Sequence, residues 1–260
     1  MSYTIAVCGK GGVGKTTVAG LLVRALQQHH LKPILAVDAD PNSCLDALLG
    51  VSVESTIGGV REDARELAGK GMSSGVSKQQ LLEMKIEQSL VEAEDFDLIA
   101  MGRPEGPGCY CYANNVLKNA LAKLTSQYPY VVLDNEAGLE NLSRRIIQQV
   151  NLLVMVSDSS KRGLETVLRL YHLSREMGIE AERRVLIVNR LRHLELPPMA
   201  KDVACQIDAD DLLGLSDDEE LGACADEGQP LSRLSDQNRI FAQLSSFIVN
   251  QINSVATSEA

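Results

Sequence analysis

The sequence predicts a doubly wound, mostly parallel α/β sheet with helices on both faces. Short runs at Tyr3–Cys8, Pro33–Asp38, Asp95–Met101, Tyr128–Asp134, Asn151–Ser157 and Arg184–Asn189 are apolar almost throughout. That uniformity is the pattern of strands buried on both faces, whereas half-exposed strands alternate. Longer stretches with helical apolar spacing lie between them, at Lys15–His29, Ala113–Gln127, Leu139–Val150, Ser160–Met177 and Pro197–Cys205. Strand and helix therefore alternate from end to end, and short right-handed crossovers close such a chain into one parallel sheet. With 45% hydrophobic and 23% charged residues the balance is that of a globular chain. Only 3% of the residues are aromatic and none is Trp, so the core must rest on Leu, Val, Ile and Ala.

In chain order, the first run breaks at Gly9 and leads through glycines into the helical stretch that begins at Lys15. The second ends in acid at Asp38. Ser52–Glu94 is charged and dotted with glycine, and reads as two helices over the sheet plus a mobile loop. Gly214–Gly228 carries an acidic run that reads as a solvated face in preference to a metal site. From Asn238 to Val255, Ile240, Phe241, Leu244, Phe247, Ile248 and Ile252 share one helical face. Its polar side lacks the Lys/Arg cluster of a membrane-surface helix, so it reads as a packing helix. No Pro/Ser-rich linker and no internal repeat interrupts the chain, and the expectation is one domain over residues 1–260.

Charge and cysteine use narrow the function classes. Lys and Arg number 25 against 35 Asp and Glu, a net charge of −10. This weighs against a protein that gains affinity by neutralising nucleic-acid phosphates. No apolar run approaches the length of a membrane span, and the first twenty residues hold glycines and lysines where a signal peptide needs an apolar stretch. The expectation is a cytoplasmic chain with neither nucleic acid nor membrane as partner. Its six cysteines then read as thiols, metal ligands or core residues in place of disulfides.

Gly9-Lys10-Gly11-Gly12-Val13-Gly14-Lys15-Thr16-Thr17 fits G-x-x-x-x-G-K-[ST] between a strand and a helix. Glycines let successive backbone N–H groups converge on phosphate oxygens, and the helix adds the positive end of its dipole. Lys15 is expected to reach the β- and γ-phosphates of ATP, and Thr16 to hold Mg2+. A glycine turn that binds nothing would also suit a strand–helix junction, but nine consecutive fitting residues favour the phosphate loop. Lys10 is a second lysine, placed where it cannot easily fold back onto its own nucleotide. This form of the loop resembles the deviant P-loop of the MinD/ParA and nitrogenase iron-protein ATPases, within the SIMIBI class of P-loop NTPases. The resemblance implies a homodimer in which Lys10 crosses to the partner's nucleotide and stabilises transition-state charge.

Asp38 and Asp40 close the second strand at the edge where open α/β sheets bind ligands. By resemblance to that class, Asp40 orients the attacking water and Asp38 supports the Mg2+ shell or the loop. An Asx-turn at the Asp40-Pro41 step is the structural alternative for one of the two. Asp134 follows the apolar run YVVLD, as the second phosphate-site acid does, and would hold Mg2+ through water, with Gly138 free to turn toward the γ-phosphate. Asn189 and Arg190 resemble the adenine-reading position of these ATPases. Ser216-Asp217 stand where the family's base-binding loop carries a proline.

Gly106-Pro107-Gly108-Cys109-Tyr110-Cys111 places two thiols one residue apart between glycines and a helix start. A tetrahedral site wants four ligands, so two chains related by a two-fold axis would complete one with Cys109 and Cys111 of each. Together, the deviant P-loop, the segment Asp38-Ala39-Asp40-Pro41-Asn42-Ser43-Cys44 and the Cys-Tyr-Cys loop resemble the nickel-insertion ATPases of carbon monoxide dehydrogenase maturation (CooC) and their acetyl-CoA synthase counterparts. The resemblance runs from residue 3 to the helix after 236. It implies Ni2+ (or Zn2+) held between two chains by Cys109 and Cys111, with carbon monoxide dehydrogenase or acetyl-CoA synthase as client. Cys44 reads as buried packing or a transient metal contact, and Cys8, Cys205 and Cys224 as core or helix residues. His29, His30, His172 and His193 have no ligand spacing. Two rivals remain: an iron-protein-like reductase with a subunit-bridging [4Fe–4S] cluster, and a MinD/ParA-type positioning ATPase.

Overall fold

Burial alternates between two core layers along each strand, which is what a sheet covered on both faces requires. Ile5 and Val7 join Leu22, Leu26, Phe241 and Leu244 on one side. Ala6 and Cys8 join Val167, Leu170, Val203 and Ile207 on the other. The computed structural model describes residues 2–40, 44–60, 78–102, 122–135, 149–193 and 195–258. Its strands are β1 (Tyr3–Gly9), β2 (Ile34–Asp38), β3 (Val91–Glu92), β4 (Phe96–Ala100), β5 (Tyr130–Asp134), β6 (Gln149–Asp158), β7 (Glu180–Leu191) and β8 (Asp211–Ser216). They form one sheet in the order β3-β4-β2-β5-β1-β6-β7-β8. All neighbours pair parallel except β3 with β4.

The long helices are α1 (Lys15–Gln28), α3 (Lys78–Gln88), α4 (Lys161–Glu176), α5 (Pro198–Gln206) and α7 (Arg239–Ser258). Shorter ones are α2 (Leu45–Leu49) and α6 (Glu219–Asp226). Each of the six apolar runs is a strand. A further strand, β8, runs into the start of the acidic stretch and is only partly buried. The helix expected over Leu139–Val150 gives way at its end: Gln149 and Val150 open β6, where Val150 is buried. The rest of that helix, and most of the one over Ala113–Gln127, lie outside the described residues.

The C-terminal helix packs as expected, with Ile240, Phe241, Leu244 and Ile248 buried beside α1. Arg24 of α1 pins it there: Nη2 donates to the Leu234 carbonyl at 2.7 Å and to Asp236 at 2.6 Å, and the guanidinium lies 4.1 Å over the Phe241 ring. The helix that starts at Lys15 is thereby anchored at its far end.

Register brings the functional strand ends to one level. Asp38 lies opposite Asp134, Asp134 opposite Val7, Gly9 opposite Val156, and Asp158 opposite Asn189. At Gly9 a Cβ would run into the carbonyl oxygen of Val156, so only glycine lets β1 pass β6 and turn. Gly9→Ala is expected to destabilise the protein by roughly 3 kcal/mol or more, because the obstacle is backbone that cannot rotate aside. Urea unfolding reads this, and unchanged stability would mean that the strand end relaxes freely.

Candidate nucleotide-binding site

The phosphate loop leaves β1 and enters α1 through Gly14, which has φ +93°. Gly12 is also left-handed, at φ +80°, with open space where a side chain would stand. Lys15 is buried to 7% exposure, and its Nζ donates to the Lys10 carbonyl at 3.4 Å. The lysine thus curls back over its own loop. Lys10 is half-buried. Gly11, Gly12, Gly14, Lys15, Thr16 and Thr17 line a cavity of about 600 Å³ together with Asp40 and Arg190. Such a volume is in the range of small-molecule sites.

Asp134 closes β5 fully buried, and neither carboxylate oxygen accepts a hydrogen bond by geometry. Burial pushes its pKa up to about 7; Asp38 and Asp40 add to the rise, while the nearby Thr16 hydroxyl and Lys15 oppose it. A buried acid whose oxygens accept no hydrogen bond by geometry is suited to take up a cation or a proton. Asp38 is equally buried, but its oxygens accept the N–H groups of Asp40 and Leu45, each at 3.0 Å. Its carboxylate therefore closes the loop that follows β2, the loop-supporting alternative in the sequence. Burial raises its pKa, against the pull of those N–H groups.

Asn189 and Arg190 reach the phosphate loop from β7. Asn189 Nδ2 donates to the Val13 carbonyl at 2.9 Å, and Arg190 Nη1 to the Gly12 carbonyl at 3.1 Å. The opposite wall of the cavity was not legible in the sequence. It consists of Ala47 and Leu48 from α2, with Cys224, Ala225, Gly228 and Gln229 from α6 and the turn after it. The acidic run is also only partly a solvated face. Asp218 caps α6 by accepting from Leu221 N, and Asp218 and Glu220 together hold the Asn238 side chain. The signal in the sequence was Asp218 followed by Glu219 and Glu220, an N-cap acid before two acids in the first helical turn.

Among the cysteines, Cys8 is buried in the core and burial pushes its thiol up to about 12. Cys224 is buried and Cys205 exposed on its helix. Cys44 corrects the expectation of packing. It is exposed at the N-cap of α2, and Leu45 takes the fully buried place instead. Partial burial and the field of Asp38, Asp40, Asp46 and Asp134 hold its thiol above the usual range. Cys109, Cys111 and Gly138 lie outside the described residues. Among the described residues no group of three or more His, Cys, Asp or Glu could hold a metal ion, and no helix is long and apolar enough to cross a membrane.

A glycine loop between strand and helix, a buried lysine over it and a buried acid on the next strand define a P-loop nucleotide-binding ATPase. The chain belongs to the AAA_31 family, an AAA domain, which matches residues 2–186. It is 38% identical over 250 residues to an uncharacterized ATP-binding protein of Methanocaldococcus jannaschii, across 96% of this chain and 98% of that one. It is 35% identical over 188 residues to the carbon monoxide dehydrogenase accessory protein CooC of Rhodospirillum rubrum, across 68% of this chain and 70% of that one. A ParA family ATPase from Chlorobium tepidum superposes with TM-score 0.69 at 17% identity, over 95% of this chain and 98% of that one. The fold is therefore that of the MinD/ParA P-loop ATPases. ATP and Mg2+ go with this family, and the residues suit them: hard oxygen donors on Thr16 and Asp134 beside a glycine-lined cavity.

Proposed function

We propose that the 260 residues act as one ATPase unit of the nickel-insertion type. Two copies carry Ni2+ (or Zn2+) as cargo between Cys109 and Cys111 of each and deliver it to carbon monoxide dehydrogenase or acetyl-CoA synthase. The strand order β4-β2-β5-β1 supports this reading most directly. The strand that leads toward Cys109-Tyr110-Cys111 lies beside the one ending in Asp38, and Met101 N donates to the Asp38 carbonyl at 2.8 Å. Nucleotide-dependent movement after β2 thus acts on the end of β4, from which the chain runs on toward Cys109 in the sequence. The 35% identity to a carbon monoxide dehydrogenase accessory protein is a second, independent support.

In this reading Lys15 binds the β- and γ-phosphates and Asp40 orients the water that attacks the γ-phosphorus as the bond to ADP breaks. Thr16 and Asp134 hold Mg2+, with Asp38 supporting that shell through the loop. Bound there, Mg2+ supplies positive charge to the phosphates. Asn189 and Arg190 flank the nucleotide, and Lys10 reaches the partner's γ-phosphate, so hydrolysis requires the closed dimer. Four thiolates give a tetrahedral site only in that dimer, so opening it loosens the cargo.

Titration of reduced, metal-free protein with Ni2+ tests the proposal, with stoichiometry and oligomeric state read together. The expected result is one Ni2+ per two chains with dimerisation, both abolished in Cys109→Ser/Cys111→Ser. Nickel binding that ignores these cysteines, or none, would overturn the carrier reading and favour a positioning ATPase of the MinD/ParA type. That rival would co-sediment with a membrane or DNA in the presence of ATP.

A further inference from the structure

β7 and β8 run in register from Val185 opposite Asp211 to Val188 opposite Gly214, and then shift, so that Leu191 meets Ser216. β7 therefore carries one extra residue at Asn189–Arg190, a bulge of the kind that re-aims side chains beside sites. Arg190 is left-handed at φ +56°, a conformation that a residue with a side chain keeps only where its surroundings hold it. The bulge turns both side chains onto the phosphate loop, where they bond the carbonyls of two successive residues, Gly12 and Val13. The fit is close: an ideal Cβ on Gly14 would stand 2.5 Å from Asn189 Nδ2. The last glycine of the motif thus makes room for that amide as well as for the turn.

A trans peptide points its N–H opposite to its carbonyl. Holding the Gly12 and Val13 carbonyls from the β7 side therefore turns the N–H groups of Val13 and Gly14 the other way. We propose that the Asn189–Arg190 bulge is a clamp that sets the phosphate loop before nucleotide arrives. The two residues are positioning residues for phosphate binding, distinct from the adenine-reading role that the resemblance implies. The inference stands on the phosphate loop alone and is independent of the metal reading.

The test uses the full chain without nucleotide, comparing wild type with Asn189→Ala, Arg190→Ala and Arg190→Lys. Hydrogen–deuterium exchange follows the segment 10–14, and affinities are measured for ATP, GTP and inorganic tripolyphosphate at fixed ionic strength. The clamp predicts faster exchange in the empty loop of both alanine variants. It also predicts roughly three- to tenfold weaker binding, the worth of one hydrogen bond, equally for all three ligands. Arg190→Lys, which keeps a donor, is expected to recover part of both effects. Unchanged exchange with a loss confined to ATP would overturn the clamp in favour of base reading. Unchanged exchange with an equal loss for all three would overturn it in favour of direct contact with the phosphates. If Arg190→Ala does not fold, Asn189→Ala and Arg190→Lys give the same readouts.

Discussion

Lys10→Ala is expected to bind ATP within about twofold of wild type and to lose turnover by roughly a thousandfold, the order found when a trans-acting cation is removed from a phosphoryl-transfer site. The separation of the two effects follows from the loop's geometry. Lys15 Nζ is held by the carbonyl of residue 10, a backbone group that alanine retains. Truncating the half-buried Lys10 side chain leaves that backbone contact in place and, in the proposed dimer, removes only the charge offered to the second copy. Equilibrium ATP binding and steady-state phosphate release measure the two effects. Mixing Lys10→Ala with Lys15→Ala chains then identifies the route. Neither chain turns over alone, but a mixed dimer has one site with its own Lys15 and its partner's Lys10. Recovery of activity on mixing is the expected outcome, and its absence would sink the trans step.

Asp134→Asn carries the other large effect, and its sign depends on pH. In the unfolded chain the carboxyl loses its proton near 3.8; in the folded protein it keeps it to about 7. Below 3.8 both states are protonated and burial of the charge costs nothing. Between those values the folded state holds a proton that the unfolded state releases, so stability falls as pH rises. Above about 7 the full cost is present, at most about 4 kcal/mol for a displacement of that size. Asparagine imitates the neutral acid. The nucleotide-free variant is therefore expected to be more stable than wild type at pH 8 and nearly equal at pH 4, while losing Mg2+-dependent turnover. Urea unfolding at the two pH values measures this. A stability difference that does not change with pH would refute the buried charge as its cause.

Asp134 is a local conflict, a buried acid whose oxygens accept no hydrogen bond by geometry, and it stands where the sequence placed it, at the end of a wholly apolar strand. The same reasoning stopped short at Asp38. Asp38 and Asp134 both end apolar strands and look alike in the sequence, and only the fold distinguishes the one that accepts the N–H groups of Asp40 and Leu45 from the one whose oxygens accept no hydrogen bond by geometry. Cys44 failed for a related reason. Whether it or Leu45 enters the core depends on how α2 is rotated against α1, which a single helical turn does not encode.

By itself the sequence determined the six principal strands, the helix that packs on α1, the glycine loop and the acids beside it. These follow from rules acting over a few residues: apolar period, the freedom of glycine, the start of a helix. Only the tertiary structure decided the order of the strands, the second wall of the cavity and the partners of Asn189 and Arg190. Asn189 meets Val13 across 176 positions of chain, and Arg190 meets Gly12 across 178. Contacts at that separation are set by which strands lie side by side and by one extra residue in β7. A parallel sheet satisfies its hydrogen bonds equally well in many strand orders, so this choice rests with packing on both faces and not with any local pattern.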